Sequence, residues 1–216
     1  MSIVFFQIGT NDGNDNFLKL VKDNNADLII LVEPNTNLID SILKNYKDIK
    51  NVYIYNKAIY YENNKQVELV IPSKNGKYGS KADNGLTYHH VHFSLFPMND
   101  WGNKEDMVKI NADTITFEEI CKNHNLTHID YLQIDTEGFD TEIIKMIDFS
   151  KIVIKIIRFE KWNFDKECFT KHCADLSDKL GKNGMNDALN KLIKNNYIIE
   201  QIKDKDGDDY IAILQN

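Results

Sequence analysis

The chain has 216 residues, of which 42% are apolar and 27% are charged, as in an ordinary globular protein. Its formal net charge of −7 disfavours nucleic acids and anionic membranes as partners, because both attract basic surfaces. Three cysteines are too few for a disulfide framework, and no apolar run has the length of a signal or membrane-spanning segment. We therefore expect one cytoplasmic domain over residues 1–216, without membrane insertion, and leave the oligomeric state open, a homodimer included.

The first part of the chain alternates short apolar runs with amphipathic segments, which is the pattern of a parallel sheet flanked by helices. The apolar run over 28–32 is continuous, as expected for a strand that is buried on both faces. We predict strands over 3–8, 28–32 and 52–56, and helices over 14–23 and 35–46.

The middle of the chain departs from this pattern. Two short runs, 58–61 and 66–71, flank the turn-forming sequence Glu62-Asn63-Asn64 and predict a β-hairpin. Periodicity then fails over 72–111, where glycine, asparagine, serine, histidine and aromatic residues mix. Because a loop of this length in a compact domain commonly serves function, we interpret 72–111 as a lid or substrate loop.

The second half of the chain returns to alternating strands and helices. The sequence Thr116-Phe117-Glu118-Glu119 fits a capping box that begins a helix. The elements predicted from there are a helix to about 125, a strand over 129–134, a helix over 139–147, a strand over 152–159, a broken helical stretch over 165–195 and a closing hairpin of 197–202 and 209–214. Together they predict an α/β fold.

The turn after the first strand, residues 7–14, lies where open α/β sheets bind ligands. Gly9 and Gly13 permit a positive φ and a close approach of a ligand to the backbone. The spacing is neither G-x-G-x-x-G nor a P-loop, so it indicates neither a pyrophosphate nor a triphosphate cradle. The alternative is an ordinary strand-to-helix turn that needs glycine.

Acidic residues follow two further predicted strands. Glu33, which precedes Pro34 at the end of the second strand, is placed to accept hydrogen bonds from the ribose hydroxyls of a nucleoside. The segment 130–140 brings several carboxylates, Asp135 and Glu137 among them, to the same edge of the sheet. They could orient a hydroxyl, act as a base or hold a metal, whereas the alternative is capping of the next helix.

These motifs, in this order, resemble the FkbM-type methyltransferases, which use S-adenosylmethionine. The resemblance lies in Ile8-Gly9-x-Asn11-x-Gly13, Glu33-Pro34 and Ile134-Asp135-x-Glu137-Gly138, and it runs from about residue 3 to residue 160. It implies a Rossmann-like fold of the class I methyltransferase type. Such a fold has a seven-stranded, mostly parallel sheet with an antiparallel last strand, and helices on both faces.

The resemblance also implies where S-adenosylmethionine and its product S-adenosylhomocysteine bind. The turn after the first strand would cradle the methionine end, Glu33 would bind the ribose, and the backbone near Ala58 would border the adenine. The cofactor-binding residues expected are Gln7, Gly9, Asn11, Asp12, Gly13, Glu33, Pro34, Ala58, Asp135 and Thr136. Glu137 and Glu160 would face the acceptor, and Trp162 is placed to stack on a sugar face.

One position departs from the family pattern. The family commonly has an acid at the end of the first strand, where it helps to neutralise the methionyl ammonium, and this chain has Gln7. The Gln7 carbonyl oxygen can accept a hydrogen bond but brings no charge. We expect Asp12 or Asp135 to supply that charge.

A hydroxyl acceptor needs a base to take its proton during methyl transfer. The candidates are His89 and His92 in the long loop, and the carboxylates Asp135 and Glu137. Histidine has the better intrinsic pKa for this role at neutral pH. The same residues could hold a divalent metal, but no metal-binding spacing supports one, and none is expected.

The sequence therefore predicts an S-adenosylmethionine-dependent O-methyltransferase that acts on a hydroxyl of a small acceptor, with a sugar or glycan as the favoured class. Two alternatives stay open. One is a methyltransferase-like binding domain without catalysis, which Gln7 motivates. The other is a nucleic-acid methyltransferase, which the net charge disfavours.

Overall fold

The computed structural model describes residues 2–71, 94–96, 98, 101, 103, 105, 107–161, 173–204 and 207–215. A seven-stranded sheet forms its centre, with five parallel strands followed by an antiparallel pair at one edge. In spatial order the strands are β3 (Val52–Tyr55), β2 (Leu28–Val32), β1 (Val4–Ile8), β7 (His128–Ile134), β8 (Val153–Glu160), β10 (Gly207–Leu214) and β9 (Tyr197–Asp204). The Rossmann-like α/β fold with an antiparallel last strand is confirmed.

Helices cover both faces of this sheet. On one face lie α1 (Asn16–Asn24) and α2 (Ile39–Tyr46), the latter preceded by a 3-10 turn over Thr36–Leu38. On the other face lie α3 (Phe117–Asn123), α4 (Asp140–Met146) and α6 (Lys182–Lys194). Because consecutive strand residues point to opposite faces, Leu31 packs against the first group and Ile30 against the second. The continuous apolar run of β2 reflects this double burial.

Two helices begin at polar caps, as their sequences indicate. The Asp15 carboxylate accepts a hydrogen bond from the Leu18 N–H at the start of α1. The Thr116 hydroxyl accepts one from the Glu119 N–H at the start of α3, which confirms the capping interaction. These caps fix the points at which the chain leaves the carboxyl end of one strand and enters the next helix.

The predicted hairpin of 58–61 and 66–71 is wrong. A third strand, β6 (Val108–Ile115), lies between β4 (Ala58–Ile59) and β5 (Gln66–Ile71), and pairs parallel with β4 and antiparallel with β5. The last four residues of the predicted loop therefore belong to a strand. In β6, the inward residues Ile110, Ala112 and Thr114 alternate with polar residues. Because Ala112 and Thr114 are only weakly apolar, the strand pattern was not recognised at the end of the predicted loop.

The helical stretch after β8 is broken, as predicted. In the described part of the chain it consists of α5 (Ala174–Leu180) and α6, which are separated by Gly181. Trp101 is buried in a cluster with Val70, Met98, Met107 and Leu180. None of the helices that the structure describes is long and apolar enough to cross a bilayer.

Candidate active site

The carboxyl ends of β1, β2 and β7 open on one cleft of about 680 Å³, measured out to its open mouth. The predicted site residues that line it are Gly9, Asn11, Glu33, Pro34, Ala58, Asp135, Thr136 and Glu137. The structure thus brings together residues from four separate segments of the chain.

Gly9 sets the distance between two sides of the cleft. Its N–H donates to the Val32 carbonyl at 2.9 Å, and its φ is +82°. A Cβ at this position would lie 1.7 Å from the Asp135 carbonyl oxygen, which itself belongs to the neighbouring strand end. Both the backbone conformation and this close approach require glycine.

Asp12 and Gly13 belong to the same turn but do not line the cleft. The Asp12 carboxylate accepts a hydrogen bond from the Asn14 N–H and shapes the turn locally. Gly13, with φ +73°, faces α2, where an added Cβ would lie 3.1 Å from the Tyr46 ring. The structure therefore places these two residues in the support of the turn.

Glu33 is held in the cleft by backbone donors. One carboxylate oxygen accepts from the Asn11 N–H and the other from the Asn35 N–H, both at 2.8 Å, and the side chain is 4% exposed. Burial raises the pKa of Glu33 to about 7, although these two hydrogen bonds act to lower it. Each oxygen keeps a second lone pair, so the fixed carboxylate can still accept hydroxyl donors from a ligand.

Gln7 lies behind the cleft and does not line it. Its side chain is 1% exposed, and its Nε2 donates to Asp15 Oδ2 at 2.5 Å. Within the described part of the chain, its Oε1 has no hydrogen-bond partner. The Asp15 carboxylate thus contacts the Gln7 side chain directly. That Asp12 or Asp135 supplies the charge missing at position 7 stays a prediction.

The segment after β7 is a tight turn that Asp140 holds in place. Glu137 and Gly138 both have positive φ, +53° and +109°. The buried Asp140 carboxylate accepts from the Thr136 hydroxyl at 2.6 Å, from the Thr136 N–H at 3.2 Å and from the Glu160 N–H at 3.3 Å. One side chain therefore ties the end of β7 to the end of β8.

Three carboxylates lie side by side at the carboxyl edge of the sheet, and we call them the acidic row. Ile134 pairs with Phe159, so Asp135 and Glu160 are the next residues in register on β7 and β8. Glu160 pairs in turn with Asp209 on β10. Arg158 donates to Asp209 at 2.6 Å, which compensates one of the three charges. The row of Asp135, Glu160 and Asp209 starts in the cleft and runs away from it.

The carboxylates of this row raise one another's pKa. Asp135 is an exposed residue where it lines the cleft. Desolvation in the cleft, followed by the nearby charges of Glu137, Asp140 and Asp209, raises the Asp135 pKa above its ordinary value. Burial, followed by the charges of Glu137 and Asp135, does the same for Glu160.

Six further residues line the cleft that were not predicted as site residues, namely Lys57, Ile59, Leu69, Ser94, Leu95 and Phe139, besides the strand residues Ile8 and Val32. Ser94 belongs to the predicted loop, where its hydroxyl donates to the Glu137 carbonyl at 2.7 Å. It also pairs with Val70 of β5. Lys57 and Phe139 could have been predicted as site residues because they lie next to predicted ones. Nothing in the aperiodic loop sequence indicated that Ser94 lines the cleft.

Three predicted site residues, His89, His92 and Trp162, lie outside the residues that the structure describes. Glu160 is described and belongs to the acidic row, but it does not line the cleft itself. Among the residues described, no group of three or more histidine, cysteine, aspartate or glutamate side chains is arranged to hold a metal ion.

The geometry of the cleft fits S-adenosylmethionine. The fixed Glu33 carboxylate suits ribose hydroxyls, and the close approach at Gly9 leaves backbone accessible where a side chain would fill the space. The Asp135 carboxylate meets the requirement of a cation for a nearby negative charge. The residues present are therefore compatible with a nucleoside that carries a positive charge.

Comparison with known proteins points the same way. The model of the Methyltransferase FkbM domain matches residues 7–199. No curated protein matches the chain.

Similar solved structures include three methyltransferase-related proteins. A precorrin-6y C5,15-methyltransferase from Geobacter metallireducens has 13% identity and a TM-score of 0.44, over 98% of this chain and 78% of that one. M. capricolum TrmK in complex with S-adenosyl-homocysteine has 15% identity and a TM-score of 0.41, over 100% of this chain and 63% of that one. Aeropyrum pernix fibrillarin with bound S-adenosyl-L-methionine has 9% identity and a TM-score of 0.43, over 98% of this chain and 65% of that one. Likeness this remote carries no argument about an acceptor.

The family model spans most of the chain, including the turn after β1, Glu33 and the segment after β7. These are the segments whose residues line the cleft. The chain therefore belongs to the FkbM methyltransferase domain family, and it is a methyltransferase that uses S-adenosylmethionine.

Proposed function

We propose that this methyltransferase transfers the methyl group to a hydroxyl of a small acceptor, and that the acceptor is a sugar or glycan. The observation that carries the proposal is the acidic row that begins in the cleft at Asp135. Carboxylates accept hydrogen bonds from hydroxyl groups and repel phosphates. With a net charge of −7, the chain therefore suits a polyhydroxylated acceptor better than a nucleic acid.

When bound, S-adenosylmethionine supplies an electrophilic methyl group on a positively charged sulfur. In this proposal Glu33 accepts the ribose hydroxyls, while Pro34 and Ala58 border the adenine. Gly9 and Asn11 receive the amino acid end, and Gln7, Asp12 and Gly13 support them from behind. The remaining cofactor residues, Asp135 and Thr136, lie beside the sulfur.

The acceptor side of the proposal rests on fewer described residues. Glu137 and Glu160 orient the acceptor hydroxyls, together with Trp162. A base among His89, His92, Asp135 and Glu137 takes the hydroxyl proton, and the enzyme contributes by holding acceptor and methyl donor in line. Turnover that falls in both His89→Ala and His92→Ala, with cofactor affinity unchanged, would support a histidine base. Unchanged turnover in both would transfer that role to a carboxylate.

Two properties complete the proposal. Residues 1–216 form one domain, and the protein works in the cytoplasm, as its cysteine content suggests. Most of the 72–111 loop, interpreted above as a lid or substrate loop, lies outside the residues that the structure describes.

The test has two stages. Calorimetry with S-adenosylhomocysteine should detect binding to the wild type and at least tenfold weaker binding to Glu33→Ala. The protein is then incubated with methyl-labelled S-adenosylmethionine and, separately, with an oligosaccharide pool or with total RNA. Label in the oligosaccharides supports the proposal. Label in RNA, with binding that weakens steeply with salt, would contradict it. Cofactor binding without transfer to either pool would favour the non-catalytic binding domain.

A further inference from the structure

The turn between β7 and α4 contains an unusual backbone conformation. Glu137 has a φ of +53°, in the left-handed region that residues other than glycine and asparagine rarely adopt. The other non-glycine residues with a positive φ in the described part of the chain are six asparagines, namely Asn11, Asn25, Asn51, Asn64, Asn125 and Asn196. Among the described left-handed positions, the chain thus departs from glycine and asparagine once, and this position lines the cleft.

Neighbouring groups hold this conformation from both sides. The Ser94 hydroxyl donates to the Glu137 carbonyl at 2.7 Å. Directly before it, the Thr136 hydroxyl and N–H both donate to the Asp140 carboxylate, at 2.6 and 3.2 Å. Gly138 follows directly, with a φ of +109°. The surroundings therefore determine the backbone here, as is typical of strained residues at functional sites.

Glutamate is an unfavourable residue for this backbone. The bond from Ser94 is accepted by the main-chain carbonyl, so an asparagine at position 137 could accept it equally well. Asparagine would also adopt the same φ at a lower cost, because its short polar side chain tolerates the left-handed region. The benefit of glutamate must therefore come from its carboxylate. Glu137 is half-buried and lines the cleft, so its side chain is within reach of a ligand.

The roles already proposed leave this carboxylate for the acceptor. Among the described residues, the carboxylates that line the cleft are those of Glu33, Asp135 and Glu137. In the proposed function, Glu33 accepts the ribose hydroxyls and Asp135 lies beside the sulfur. Glu137 follows two residues after Asp135, in a turn whose backbone is fixed. A carboxylate held in this way can take the proton of a hydroxyl that lies within hydrogen-bond distance.

We propose that Glu137 is the base that takes the proton of the acceptor hydroxyl, and that the fold accepts a left-handed backbone at this residue in order to hold the carboxylate in the cleft. The inference rests on the proposed function, because it needs a hydroxyl acceptor. During transfer the carbon–sulfur bond breaks with its electron pair remaining on sulfur, and a carbon–oxygen bond forms from a lone pair of the acceptor oxygen. The hydroxyl proton passes to the Glu137 carboxylate, which releases it to water after the products leave.

Variants at position 137 separate the backbone from the carboxylate. Glu137→Asn should raise the Tm by roughly 2–4 °C, because asparagine relieves the left-handed strain. It should leave the affinity for S-adenosylhomocysteine unchanged, yet transfer methyl label to the oligosaccharide pool about 100-fold more slowly or worse. Glu137→Gln keeps the length and the strain of glutamate, so it should match the wild-type Tm and still lose transfer. Glu137→Asp keeps a carboxylate and should retain more transfer than either.

Asn25→Gly is the matched control, at the exposed left-handed residue that ends α1, and it should leave transfer unchanged. Full transfer in Glu137→Gln would overturn the inference. So would a Tm of Glu137→Asn well below that of the wild type, because the carboxylate would then support the fold. A loss of about tenfold in S-adenosylhomocysteine affinity in both variants would assign Glu137 to the cofactor and overturn it too. Absence of transfer by the wild type is a different result, which would overturn the proposed function itself.

Discussion

The two sides of the cleft hold their carboxylates in opposite ways. On the β2 side, Glu33 is buried but accepts one backbone N–H on each oxygen, so its position is fixed before any ligand arrives. On the β7 side, Asp135 stands beside Glu160 and Asp209, and Arg158 bonds to Asp209. The first arrangement suits neutral hydroxyl donors, and the second suits a positive charge. The difference implies that the cleft positions a nucleoside on one side and responds to charge on the other.

The contrast depends first on the spacing between the two sides, which Gly9 sets. We expect Gly9→Ala to have the largest effect, because its Cβ would overlap the Asp135 carbonyl at 1.7 Å and its φ is +82°. The variant should lose several kcal/mol of stability or fail to fold. Gly13→Ala is the matched control, with a contact of 3.1 Å to the Tyr46 ring, and should lose less. Chemical denaturation of both variants measures this; equal losses would contradict the account.

The second prediction concerns Glu33, whose burial raises its pKa to about 7. Because an unfolded glutamate titrates near pH 4.5, the folded state binds more protons between these values, and stability falls as the pH rises through this window. The free energy of unfolding of the wild type should therefore decrease by about 2–3 kcal/mol relative to Glu33→Gln between pH 5 and pH 8.5. Urea denaturation across this range measures the difference. A constant difference would mean that Glu33 is ionised at every pH tested.

The sequence predicted the β2 side of this contrast more fully than the β7 side. Glu33 could be placed because a buried apolar strand ends directly before it, and Gly9 because the turn follows β1 immediately. The resemblance to the family supplied the seven-stranded sheet with its antiparallel last strand, and local rules supplied the cap at Thr116 and the break in the helical stretch near Gly181.

What the sequence could not supply were contacts between distant segments. The position of β6 between β4 and β5 depends on pairing across about 40 residues of aperiodic chain, which no local pattern encodes. The adjacency of Asp135, Glu160 and Asp209 follows from strand register, which is decided by packing. The bond from Gln7 to Asp15 was missed because Asp15 falls within the helix predicted over 14–23, and no local pattern links it to the end of β1.

The third prediction concerns Asp15, which caps α1 and accepts a hydrogen bond from Gln7 behind the cleft. Asp15→Ala removes the cap of α1 and leaves the Gln7 amide without its acceptor, so we expect a loss of about 2 kcal/mol of stability. Asp15→Ser keeps a capping oxygen and should recover part of this loss. Thermal denaturation compares the two variants. Equal stability of Asp15→Ala and wild type would show that the Gln7 bond contributes nothing.

The smallest expected effect is at Ser94, which joins the loop to the β7 side. Ser94→Ala removes the hydrogen bond to the Glu137 carbonyl and the one accepted from the Phe96 N–H. We expect a loss of about 1 kcal/mol of stability and little change in S-adenosylhomocysteine affinity. Ser150→Ala, at an exposed turn far from the cleft, is the control. A tenfold loss of cofactor affinity in Ser94→Ala would instead place Ser94 in the cofactor site.

A crystal structure with S-adenosylhomocysteine is the most direct measurement of how the two sides divide the ligand. The account predicts both ribose hydroxyls within hydrogen-bond distance of the Glu33 carboxylate and the sulfur beside Asp135. A ligand bound outside this cleft, or inside it with the ribose at the acidic row and the sulfur at Glu33, would contradict the account.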